Sequence, residues 1–163
     1  CPDDFVANIG MSIIREEEAN QDASIWHMER AFEAQPSNRP VQDELRRLYA
    51  KREGYAPPKV RLTRGALARM YAHGDLYTQS IGELRSALSE DAQRPDLQVL
   101  LAEMYFKTKR HAEAIEVCSQ LIEKLPYCLY ANRVMVDILK GSQRDVEAQP
   151  YLERVEAFYG GVT

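Results

Sequence analysis

Apolar and small residues return along this chain at a step of 34. Leu67, Leu101 and Met135 keep the step, as do Ala68, Ala102 and Val136, and Tyr71, Tyr105 and Leu139. Ser80, Ala114 and Ala148 follow it, and so do Leu84, Cys118 and Leu152. Within a period the apolar positions fall three and four apart, as in Ala114, Ile115, Cys118, Leu121 and Ile122. That spacing lines side chains along one stripe of a helix. A fixed period of this size indicates stacked helical units rather than one closed core.

Setting the frame at 61–94, 95–128 and 129–162 makes each unit a pair of helices. In the middle unit Pro95 opens the first helix, where its missing N–H has no intrahelical partner to lose. The turn falls near Thr108, Lys109 and Arg110, and Pro126 ends the second helix. Pro2 and Pro36 occupy the place of Pro126, so residues 5–38 form a further unit. Its helices are expected over about Phe5–Glu17 and Asp22–Ala34, with Ser12, Ser24 and Ala31 as its small residues. Arg15 stands there in place of an aromatic.

Residues 39–60 are too few for a full unit. Pro40 to Glu53 reads as one helix, with Leu45 and Tyr49 spaced like Leu67 and Tyr71. Gly54 and the Pro57-Pro58 pair then stop it, because glycine accepts a left-handed cap and prolines enforce extended backbone. The second helix of this unit is missing. A single array over 1–163 is therefore expected to hold nine helices: four pairs and a lone helix over 40–53. The next helix, from about Leu62, has two courses open: to pair back against 40–53, or to start a new stack.

Charge is unevenly placed. Residues 1–38 carry two arginines against eight acidic residues, residues 39–70 carry nine basic against three acidic, and the net charge is −4. The basic joint gathers Arg46, Arg47, Lys51, Arg52, Lys59, Arg61 and Arg64, a candidate electrostatic contact site for an acidic partner. Pairing of its arginines with Glu16, Glu17 or Glu18 would remove that site; the acidic run reads instead as a solvated turn. Trp26, beside Met28, Ala31 and Phe32, reads as core.

These residues resemble the tetratricopeptide repeat family, a 34-residue helix pair. Leu101, Ala102 and Tyr105 match its large, small and aromatic places in the first helix. Ala114, Cys118 and Pro126 match the second, with Leu121 a departure. Small residues belong at Ala102 and Ala114 because two helix backbones approach closely only over short side chains. The resemblance implies an all-α solenoid of antiparallel helix pairs, a right-handed superhelix with one unpaired helix. Its first helices would line a concave groove for a peptide or partner helix. By position the groove residues are Arg69, His73, Val99, Glu103, Phe106, Lys107, Tyr130, Arg133 and Asp137. The carboxylate clamp of the chaperone-tail receptors is not reproduced: its places hold Gly65, Arg69, Leu100, Tyr130 and Val134.

Nothing in the pattern calls for catalysis or a cofactor. His27, His73 and His111 stand in no ligand spacing, so no metal site is expected. The glycines form no phosphate loop, and Cys118 falls on an apolar repeat position that argues against a reactive thiol. Three cysteines without a CxxC suit a reducing, cytoplasmic setting, and the excess of arginine over lysine suits a bacterial genome. The leading Cys1 suggests an excised piece of a longer protein, with a lipid-bearing N-terminus as the alternative. No run approaches the length of a membrane span. The expected function is a non-enzymatic protein-interaction scaffold. The alternatives are a helical-repeat RNA binder, disfavoured by the acidic balance, and a self-assembling spacer. In the last, copies stack through array ends at Val155, Phe158 and Tyr159.

Overall fold

The computed structural model describes residues 4–160. Among them the chain forms nine α-helices and no strand. These are α1 (Phe5–Glu17), α2 (Gln21–Ala34), α3 (Arg39–Glu53), α4 (Arg64–His73), α5 (Tyr77–Glu90), α6 (Pro95–Lys107), α7 (His111–Lys124), α8 (Leu129–Gly141) and α9 (Asp145–Gly160). Two compact units divide the chain, one ending at His73 and the other beginning at Gly74. The division falls inside the 61–94 repeat. Cys1 and Pro2 lie outside the described residues.

The repeat is written into the turns. Asp75, Lys109 and Gln143, each 34 after the last, take φ of 59°, 59° and 58°, and Ala19 in the first pair takes 58°. A left-handed residue lets the following N–H reach back and close the helix end. Thus the amide of Asn20 donates to Arg15 O at 2.8 Å, that of Arg110 to Tyr105 O at 2.8 Å and that of Arg144 to Leu139 O at 2.9 Å. None of these residues is glycine, so each turn carries a strain of about 1–2 kcal/mol that the flanking packing must hold.

In the first unit α1 crosses α2 over Ser12 and Ser24, both buried. They stand at the places of Ala102 and Ala114, and the hydroxyl cost is met internally: Ser12 Oγ donates to Ser24 O at 2.8 Å and lies 3.1 Å from Ser24 Oγ. Buried hydroxyls need such partners. α2 turns Ile25, Met28 and Phe32 onto Val41, Leu45 and Leu48 of α3, and Phe5, Ile9, Tyr49 and Val60 pack against this core. Burying a side chain such as Phe32 contributes roughly 1.5–3 kcal/mol. Trp26 is not in it. One residue from Ile25 is about 100° of helix rotation, which leaves the ring 45% exposed. The expectation of a core tryptophan is corrected accordingly.

One position marks α3 as unlike the other first helices. Arg46 precedes Ala68 by 22 residues, the step that relates Leu45 to Leu67 and Tyr49 to Tyr71. Arg46 therefore occupies the crossing place that holds Ser12, Ala68, Ala102 and Val136 in the other first helices, and its long charged side chain opposes close approach of a second helix to α3. Its Nε instead donates to Pro57 O at 2.8 Å, which ties down the extended strap after Gly54. Gly54 itself takes φ 82° and donates to Ala50 O at 2.8 Å. Of the two courses open to α4, pairing back on α3 is not taken: α4 packs on α2. The dock is specific. Glu33, buried in α2, accepts from Thr63 Oγ1 at 2.6 Å and from Arg30 at 3.2 Å, while Thr63 Oγ1 accepts from Ala66 N at 3.2 Å. A Cβ on Gly65 would meet the Glu33 carboxylate at 2.9 Å, so glycine lets the α4 start come this close.

In the second unit each helix packs on the next, from α5 to α9, and the first helices α6 and α8 also touch. Ala102, Ala114 and Cys118 are fully buried, and burial pushes the Cys118 thiol up to about 12. Asn132 Nδ2 donates to Pro126 O at 3.0 Å, bracing the start of α8 on the end of the preceding helix. Gln42 Nε2 does the same to Pro36 O at 2.6 Å, which identifies α3 as a first helix in register. Arg94 and Asp96, both buried, form a bidentate pair at 2.9 and 2.8 Å that anchors the α6 N-terminus.

Candidate protein-binding faces

The nine groove residues expected from the sequence are divided between the two units, Arg69 and His73 in the first and the other seven in the second. In the second unit α6 and α8 bring several together. Glu103 and Lys107, one helical turn apart, pair at 3.3 Å. Tyr130 of α8 is half-buried, and its phenol is held well above the usual range, first by burial and then by the negative charge of Glu103. Asp137 and Arg133 also act on it electrostatically, with opposite sign. Lys107 Nζ lies 5.4 Å from the centre of the Tyr77 ring, whose hydroxyl donates to Asp75 Oδ1 at 2.8 Å. Cation–π contacts of this kind contribute about 0.5–1 kcal/mol at exposed sites. The face thus alternates aromatic and charged groups over α5, α6 and α8. Sequence reasoning missed Tyr77 because it opens a second helix, and only first helices were expected to line the groove. Phe106 stacks on His111, with ring centres 5.9 Å apart. Val99 is half-buried.

Arg69 and His73 belong to the first unit. They line a cleft of about 810 Å³ between α4 and the turn after α2.

The basic joint is not the open patch that the sequence suggests. Arg47 donates to Glu16 at 3.0 and 2.6 Å, and also to Glu44; Lys51 donates to Glu16 at 2.9 Å. Arg52 pairs with Glu53 at 2.6 Å and approaches Asp22 at 3.7 Å. These contacts hold Glu16 well below the usual carboxylate range, at about 2, through the hydrogen bonds from Arg47 and then Lys51. Glu16 is therefore no part of a solvated turn, and Arg46, Arg47, Lys51 and Arg52 are engaged within the unit. Pairing with the Glu16–Glu18 run, the condition that would remove the contact site, is met at Arg47, with Lys51 beside it, while Arg46 and Arg52 take other partners.

Among the described residues there is no cluster of three or more metal-capable side chains, and no helix is long and apolar enough to cross a membrane. Residues 75–135 match the family model described as tetratricopeptide repeat. That stretch carries the tetratricopeptide repeat pattern. Solved structures of MamA are similar in fold. A point mutant of MamA has a TM-score of 0.56 at 15% identity, covering 98% of this chain and 94% of that one. A MamA crystal structure gives 0.54 at 17%, covering 90% and 93%, and another gives 0.52 at 16%, covering 93% and 89%. No curated protein sequence matches the chain. The tetratricopeptide match lies wholly in the second unit and contains Tyr77, Glu103, Lys107 and Tyr130, but stops before Asp137.

Proposed function

We propose that the second unit is a non-enzymatic scaffold that binds a segment of a partner protein across α6 and α8. The observation that carries this reading is the run of Tyr77, Lys107, Glu103 and Tyr130, which offers aromatic surface beside charges of both signs. Such mixed faces suit peptide recognition, where aromatics provide area and charges fix register. An RNA-binding role is supported less: it would draw on the basic joint, where Arg47 and Lys51 are bound to Glu16.

Site-specific photocrosslinking tests the reading. A photoreactive side chain at Arg133, exposed on α8, is expected to capture the partner; one at Gln120, exposed on α7, is not. Equal capture at both positions, or capture at Gln120 alone, would overturn it.

A further inference from the structure

The first unit holds a cleft that the missing helix leaves behind. Where a second helix would follow α3, the strap runs to Leu62, and α4 then docks on α2. Between α4 and the turn after α2 this opens a volume of about 810 Å³, the size of a ligand site. Two features give it a chemistry. Leu62 and Met70 line it and are 48% and 51% exposed, with Ala34 and Pro36 also contributing to the lining. Arg69 and His73, one turn apart on α4, supply its cationic and titratable groups, and no acidic side chain lines it. An apolar wall beside basic groups is complementary to an apolar side chain beside a carboxylate.

We propose that this cleft binds an extended segment of a partner protein in which an apolar residue adjoins an acidic one. The site is built from other residues than the α6–α8 face, lies outside the repeat match and uses the irregularity of the array. Leu62 and Met70 would seat the apolar side chain, while Arg69 and His73 would face the carboxylate.

The test is to pan a random dodecapeptide library on the full chain. Enriched peptides are expected to pair Leu, Met or Phe with Asp or Glu. They should bind the Met70→Glu variant at least about tenfold more weakly, a loss typical of an anchor contact. Leu62→Glu should weaken them similarly, and Lys107→Glu should leave them unchanged. Met70 and Leu62 are half-exposed, so both variants should keep the parent helix content and melting point; the second stands in if the first does not fold. Absence of enrichment, enrichment of basic peptides, or undiminished binding to the Met70 and Leu62 variants would overturn the proposal. Peptides that respond to Lys107→Glu alone belong to the α6–α8 face: they would overturn the cleft and leave the proposed function standing.

Discussion

In the second unit Ala102 and Ala114 let paired helices lie close; in the first, α3 carries Arg46 at that place and no second helix follows. The two regions share a register, since Gln42 and Asn132 brace their helices on Pro36 and Pro126 alike. Their cores are also built from the same residue types. The difference therefore separates docking from pairing. An apolar stripe is enough to make a helix dock, as Val41, Leu45 and Leu48 do on α2. Helices with Ser12, Ala102 or Val136 at the crossing place form pairs, and the one with the long charged Arg46 does not. Ser12 and Ser24 show that polarity does not prevent pairing, provided that the hydroxyls bond each other.

The sharpest way to break the comparison is to enlarge the crossing in the regular unit. Ala114→Leu should cost about 1–3 kcal/mol, because a fully buried site must be overpacked. Thermal unfolding measures it, and an unchanged midpoint would mean that Ala114 is not at a crossing. The next effect belongs to the α4 dock. Gly65→Ala gains up to about 1 kcal/mol of helix propensity yet drives a methyl into the Glu33 carboxylate. Glu33 is buried and held by Thr63 and Arg30, so the net change should be destabilising, by about 1 kcal/mol. A raised midpoint would show that the carboxylate can move aside.

Smaller still is the acid sensitivity of the joint. Glu16 sits at about 2 in the fold against an ordinary 4.5, so its stabilisation is fully present above 4.5 and is lost as pH falls towards 2. The pair is surface-exposed, so the loss should stay below about 1 kcal/mol. Urea midpoints compared at about pH 5 and about pH 3 should fall less for Glu16→Gln than for the parent. His27 adds to the acid loss at higher pH. Burial holds its imidazole below 6.5, with Nδ1 3.1 Å from Asn8 Oδ1, so stability declines as pH drops through 6.5. The smallest effect is local. Arg46→Ala should leave the midpoint within about 0.5 kcal/mol, as expected for a half-exposed side chain. It should speed amide exchange and proteolysis in the strap around Pro57 without adding a helix. A gain in helical ellipticity would mean that Arg46 alone keeps the pair from forming.

The helices were legible because their signals are local. The 34-residue step, the prolines and Gly54 fix starts and stops within a residue or two, although α7 ends at Lys124, before Pro126. The small-residue places were legible too, and Arg46 was readable in principle, since the 22-residue step from Leu45 to Leu67 carries it onto Ala68. What escaped was long-range. Glu33 and Thr63 lie 30 residues apart, and Arg47 and Glu16 lie 31 apart. No local pattern signals a carboxylate beneath a helix start or a turn acid that reaches a basic helix. The candidate faces were legible only in part, for the same reason. Position in the repeat selected Glu103, Lys107 and Tyr130, while the partnership of Lys107 with Tyr77 depends on how α5 meets α6.

The exposed indole of α2 has an optical consequence. Trp26 is the chain's one tryptophan, with the His27 ring edge-on at 4.9 Å and the Arg30 guanidinium 5.1 Å from its centre. Intrinsic emission excited at the indole band therefore reports on the first unit alone, while far-ultraviolet dichroism sums every helix. Superimposed melting traces from the two signals would show one cooperative transition, and separated traces would show that the regular repeats and the irregular unit melt as independent bodies.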